Sequence, residues 1–227
     1  TINSATANGI DTNNITLQLK EEDGDDIALS NIDLTFTISS GIASFSNNQT
    51  TFTTTTNTAG LASATIKSTL TGLVNITATL DRDEDGGTTP EESVTNGSPT
   101  SVTFLPGPAS SAITTISVST ASITTDGGAT AIITVQAKDT QGNNLTSSGG
   151  TVTLAIDSET AVLSTIINHQ DGTYTATISN TVAENVKITG HINTTAITDT
   201  IEISFTPGLA SAATTSFFTS PDILRGN

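Results

Sequence analysis

The sequence predicts an all-β protein folded as two tandem β-sandwich domains. Three observations lead there. Apolar residues recur at every second position over many short stretches, the same pattern of stretches occurs twice, and the alternate positions are filled largely by threonine, serine and asparagine. Alternation with period two places one row of side chains on each face of a strand, so these stretches describe half-buried strands. Threonine is β-branched and polar, which suits the wet face of such a strand. The chain has 227 residues, enough for two sandwiches of about 100 residues each. Only 34% of the residues are apolar, which is sufficient for thin cores.

In chain order, the first set of strands is marked by Ile15, Leu17 and Leu19, then by Leu34, Phe36 and Ile38. It continues with Ala62, Ala64 and Ile66, with Val74, Ile76, Ala78 and Leu80, and with Val102 and Phe104. The second set begins at Ile133 and Val135, followed by Val152, Leu154 and Ile156. Tyr174, Ala176 and Ile178 come next, then Val186 and Ile188, and finally Ile201, Ile203 and Phe205. Turn chemistry separates them. Ala59-Gly60 and Asp171-Gly172 stand just before strands, where glycine supplies a positive φ. Glu21 to Asp26 and Asp139 to Asn144 are polar loops centred on Gly24 and Gly142. No stretch carries a helical period.

The two sets are copies of one unit. Lys20 to Gly24 aligns with Lys138 to Gly142 at an offset of 118 residues, and Gly60 to Thr77 with Gly172 to Thr189 at 112. Val102 to Ser110 aligns with Ile203 to Ser211 at 101. The falling offset means that the first copy is longer, and most of the excess lies between Asp81 and Thr100. The expected division is therefore a first domain over 1–106 with an acidic insertion at 81–100 and a second over 107–207. A linker and the start of a third repeat are expected over 208–227. Thr1 would begin partway into its own first strand, as in an array with further copies. Pro106-Gly107-Pro108-Ala109 joins the copies, and proline restricts φ there, so a semi-rigid joint is expected.

Charge and composition exclude several classes of function. Six Lys and Arg stand against 22 Asp and Glu, a net charge of −16. Such a surface repels DNA, RNA and anionic lipid, so no nucleic-acid partner is expected. Nothing approaches the roughly 20 apolar residues of a membrane span, so no membrane insertion is expected of this segment. There is no cysteine, hence neither a disulfide framework nor a thiol nucleophile. Seven Phe, one Tyr and no Trp leave little of the aromatic surface on which recognition hot spots rely. The units are expected to be monomeric.

The runs Leu34 to Ser46, Ala59 to Ile66 and Gly72 to Ala78, with Asp171 to Ile178 in the second copy, resemble bacterial Ig-like domains of the invasin and intimin type. The resemblance covers nearly all of both copies. It implies immunoglobulin-like sandwiches arranged as tandem stalk repeats of adhesins on the bacterial cell surface. In that family a lectin-like tip completes receptor binding; it usually carries cysteine and Trp, and nothing of that kind occurs here. The disulfide and buried Trp of antibody domains are missing as well.

One stretch matches a metal motif. Asp81-Arg82-Asp83-Glu84-Asp85-Gly86-Gly87, followed by Glu92, fits the calcium-loop spacing D-x-D-x-D-G-x5-E. Asp81, Asp83 and Asp85 would supply hard oxygens, Gly87 its carbonyl, and Glu92 a closing carboxylate for Ca2+. Against this, no helices flank the loop, Pro90 stiffens it, the second copy lacks it, and a solvated acidic linker has the same composition. The acidic run Glu21 to Asp26 reads as a polar turn. His169 and His191 stand in no metal-ligand spacing and read as ordinary surface or strand residues. No nucleophile elbow occurs, and the carboxylates fall in loops with no apolar pocket to raise a pKa, so no enzyme is expected.

The function expected from the sequence is a non-catalytic spacer or stalk module of a cell-surface, adhesin-like protein. It would hold a distal binding region away from the cell and have neighbouring repeats of the same chain as its immediate partners. The alternatives are a module whose sheet face holds a host receptor or glycan, and an accessory segment of a secreted enzyme.

Overall fold

The computed structural model describes residues 3–80, 92–93, 99–126 and 128–209. Among them every regular element is a strand, and no helix is long and apolar enough to cross a membrane. The first unit contains β1 (Ala5–Thr6), β2 (Asn13–Gln18), β3 (Asp33–Ser40), β4 (Ser44–Phe45) and β5 (Thr51–Thr55). It continues with β6 (Leu61–Lys67), β7 (Gly72–Leu80), β8 (Glu92–Ser93) and β9 (Thr100–Leu105). The second unit contains β10 (Thr115–Val118), β11 (Ser122–Thr124), β12 (Ala131–Gln136), β13 (Val152–Ile156) and β14 (Val162–Leu163). Then come β15 (Ile167–Asn168), β16 (Thr173–Ser179), β17 (Asn185–Ile192), β18 (Thr195–Ala196) and β19 (Ile201–Thr206).

Each unit is a pair of facing sheets. In the first, one sheet runs β1-β9-β7-β3-β5, with β8 paired to β7, and the other runs β2-β6-β4. In the second, one sheet runs β11-β19-β17-β13, with β18 on β17, and the other runs β10-β12-β16-β14, with β15 also on β16. The expected alternation is what fills the space between sheets. Leu34, Phe36, Ile66, Ile76 and Phe104 lie in one core, and Ile133, Val135, Ile178, Ile188 and Ile203 in the other. Removing each such side chain from water contributes about 1.5–3 kcal/mol, and this is the main term holding the sheets together. The alternate positions make an outward polar face. Across β5, β3 and β7, Thr53, Thr35 and Thr79 stand in one row, with a 2.9 Å hydroxyl–hydroxyl bond between Thr35 and Thr53.

The glycines before β6 and β16 have positive φ, 73° at Gly60 and 90° at Gly172. They are also places where backbone crowds backbone: a Cβ would collide with the Ile27 carbonyl oxygen in one unit and the Leu145 carbonyl oxygen in the other. Hairpin geometry is thus only half the reason for glycine there.

Two core features add buried hydrogen bonds that the alternation pattern does not announce. Asn13 is fully buried; its Oδ1 accepts from the Ala5 N–H at 3.1 Å and its Nδ2 donates to the Thr103 carbonyl at 3.0 Å. It therefore ties β2 of one sheet to β1 and β9 of the other. Tyr174 is buried in the second core, where its hydroxyl donates to the Gly150 carbonyl at 2.8 Å and accepts from the Gly149 N–H at 2.9 Å. Both side chains have all their polar atoms paired, as burial requires.

Candidate functional site: a polar joint and two acidic loops

The joint between the units is built from three pieces of chain. The loop after β12 closes on itself through Asp139 N–H to the Asn143 carbonyl at 2.9 Å and Gly142 N–H to the Asp139 carbonyl at 3.1 Å. This turn presents two buried polar side chains, Asp139 (2% exposed) and Asn143 (7%). Asn143 Nδ2 donates to the Thr69 carbonyl at 3.0 Å, and its Oδ1 accepts from the Thr71 N–H at 3.2 Å. Thr69 to Thr71 form the turn between β6 and β7 of the first unit, so one amide grips both a donor and an acceptor across the boundary. Asp139 Oδ2 accepts from the Gly107 N–H at 3.0 Å and from Asn143 Nδ2 at 2.9 Å. The other carboxylate oxygen accepts from the N–H groups of Gln141 and Asn143, both at 2.9 Å. Burial pushes this carboxyl up, but the donors from Asn143, Gly107 and Gln141 outweigh it and hold it below the usual aspartate value.

The linker is held down as well as stiffened by proline. Gly107 is bonded to Asp139, and Ser110 N–H donates to the Lys138 carbonyl at 2.7 Å. Ser110 then opens a single turn, accepting from Ile113 at 3.2 Å and Thr114 at 2.9 Å. Hydrogen bonds that composition does not reveal thus hold the Pro106–Ala109 stretch at both ends.

The equivalent loop of the first unit, Glu21 to Asp26, has the same backbone closure, with Glu21 N–H to the Asp25 carbonyl at 2.8 Å. Its carboxylates are exposed, and Lys20 pairs with Asp26 at 2.6 Å. An exposed pair of this kind contributes about 0–1 kcal/mol. Among the described residues no three potential metal ligands come together, and the run is a turn, as expected. The calcium-loop residues Asp81, Asp83, Asp85 and Gly87 lie outside the described residues; Glu92 is paired through its backbone opposite Leu80 on β8. His169 is exposed, with Nε2 2.8 Å from the Thr175 hydroxyl, and His191 lies on β17 opposite Thr153.

The depressions lined by Glu21, Glu22 and Asp23, and by Ser4 to Thr6 and Ile10 to Thr12, are open and shallow.

Sequence comparison bears on the same two units. Residues 1–101 match the family described as Bacterial Ig-like domain (group 1), and residues 110–208 match Invasin, domain 3. The chain is a tandem of bacterial Ig-like domains of the invasin and intimin type. Among solved structures it is similar to InvD of Yersinia pseudotuberculosis, at 24% identity and a TM-score of 0.58, over 94% of this chain and 58% of that one. It is also similar to FdeC, an Escherichia coli adhesin, at 19% identity and a TM-score of 0.55, over 92% of this chain and 62% of that one. Invasin, described as a bacterial integrin-binding protein, matches at 23% identity and a TM-score of 0.45, over 91% of this chain and 38% of that one. The Ig-like pair therefore spans less than two thirds of each of these proteins, and at such identities the likeness is one of fold. No curated protein matches the chain in sequence.

Proposed function

We propose that this Ig-like pair is a non-catalytic spacer segment of a bacterial cell-surface adhesin, dividing near Pro106 and holding a distal binding region away from the cell. The observation that carries this reading is the polar joint. Buried Asn143 bonds the β6–β7 turn of the first unit, and buried Asp139 holds both Asn143 and the linker at Gly107, a polar arrangement suited to fixing one unit against the next. The threonine-rich outer faces and the acidic loops supply solubility. A host protein or glycan would be met by a region beyond these two units. We extend the proposal to calcium on the spacing of Asp81, Asp83, Asp85 and Glu92 alone: Ca2+ bound there would neutralise carboxylates that otherwise repel one another.

Small-angle scattering of the full chain tests the spacer reading. The expected profile is that of two bodies end to end, unchanged between low and moderate protein concentration. A profile fitted only by one compact body, with the two sandwiches folded side by side, overturns it.

A further inference from the structure

The two units differ at one sheet edge. In the first, the chain leaves β3, touches the opposite sheet at β4, then returns as β5 and covers the outer edge of β3. The ladder pairs Leu34 with Thr54 and Phe36 with Phe52, and Ile38 N–H donates to the Thr50 carbonyl at 2.9 Å. In the second unit the equivalent strand is β13, whose Val152, Leu154 and Ile156 correspond to Leu34, Phe36 and Ile38 at the offset of 118. Beyond it the offset drops to 112, so six residues are missing before Gly172. The shortened segment forms β14 and β15, both on β16 of the opposite sheet, and no strand returns.

β13 is therefore the end of its sheet, and its pairing shows which groups are left over. Thr151 accepts from Asn193 N–H at 2.9 Å, and Asp157 N–H donates to Lys187 at 3.3 Å. Odd-numbered residues thus face β17, and the N–H and C=O groups of Val152, Leu154 and Ile156 point away from it. Among the described residues none of these groups has a hydrogen-bond partner. The strand reads Val-Thr-Leu-Ala-Ile, with high β propensity and no charge, proline or glycine to blunt it. At its C-terminal end stand the exposed acids Asp157 and Glu159.

We propose that the open edge of β13 is a docking site for an extended, basic peptide segment of a partner protein, which adds to the sheet as an antiparallel strand. The first unit shows the form of the occupant: a strand such as Thr51-Phe52-Thr53-Thr54-Thr55, with its apolar residue opposite the Leu154 position. Charge selects the partner. A second copy of this chain brings another net charge of −16, whereas lysine or arginine at the N-terminal end of an antiparallel peptide comes near Glu159; Asp157, whose Oδ1 accepts from the Lys187 N–H at 2.7 Å, adds its charge from the β17 side.

The probe is a synthetic peptide with the sequence of residues 49–57 preceded by two lysines, titrated into the full chain. Amide exchange of Val152, Leu154 and Ile156 is expected to slow about tenfold on saturation, while exposed amides elsewhere keep their rates. N-methylation of the peptide at its Phe52 and Thr54 positions, whose groups face the strand, should abolish this. Methylation at its Thr51 and Thr53 positions should not. Omitting the lysines, or Glu159→Gln in the protein, should weaken binding about two- to fivefold. The proposal is overturned if those three amides keep their rates, if the two methylated peptides behave alike, or if the free chain already protects the amides and sediments as a dimer.

Discussion

Replacing Asn143 by alanine tests the joint directly. The side chain makes two hydrogen bonds into the first unit, from Thr71 N–H at 3.2 Å and to the Thr69 carbonyl at 3.0 Å, and one within the second, to Asp139 at 2.9 Å. A typical bond of this kind contributes a net 0.5–1.5 kcal/mol or so, and the two across the boundary about 1–3 kcal/mol together. The Thr71 N–H has Asn143 Oδ1 as its acceptor, so its exchange rate reads the contact alone. Losing about 0.5–1.5 kcal/mol should speed that exchange roughly two- to thirteenfold. Residual dipolar couplings should then need a separate alignment tensor for each unit where the parent chain needs one. Asn143→Asp should act in the same direction and more strongly, because it removes the donor and sets a second carboxylate against Asp139. If Thr71 exchanges at the parental rate in Asn143→Ala and one tensor still fits both units, the joint is held by something else and the reasoning from it fails.

Four further outcomes follow from particular residues. Tyr174→Phe strands the Gly149 N–H and the Gly150 carbonyl, and should lower the stability of the second unit by about 1–3 kcal/mol in denaturant titrations. Gly172→Ala asks an L residue to adopt φ 90° against the Leu145 carbonyl; it should cost several kcal/mol and erase the unit's cooperative unfolding, whereas Gly142→Ala, with open space around its Cβ, should cost only the strain of φ. Asp139 has its pKa lowered in the fold, so its contribution is complete above the unfolded value near 4 and is lost as pH falls through the lower folded value. Calorimetry should therefore show a melting temperature that is flat from about pH 7 to 5 and declines below about 4, with a shallower decline in Asp139→Asn. Calcium at millimolar concentration should raise the first unit's melting temperature reversibly with chelator, and a calorimetric titration without heat, together with unchanged melting, ends the calcium proposal.

The strands were legible because their burial is periodic. Leu34 and Phe36, or Ile133 and Val135, announce an inward face in any sequence written this way. What periodicity could not reveal is where polar groups are buried. Asp139 and Asn143 sit in a loop that looks as solvated as Glu21 to Asp26, and only the alignment of the two hints otherwise: at the joint the residues are shorter and less charged. Asn13 was invisible for the same reason, as an inward-facing amide in a position that the alternation reserves for an apolar residue. The six-residue shortening after β13 was present as a change of offset from 118 to 112, but which strand it removed depended on the path of the chain between sheets.

In both units a short strand near the start runs parallel to the closing one: β1 lies beside β9, with Ala5 opposite Phe104, and β11, which follows β10, beside β19, with Ile123 opposite Phe205. When the ends of such a unit are pulled apart, the bonds between these strands are strained along the strand axis and must break together, not unzip in turn. In a spacer of the kind proposed, that geometry would set the two end strands against a pulling force side by side, and in the first unit the buried Asn13, bonded to Ala5 on β1 and to Thr103 on β9, would stand in the same path.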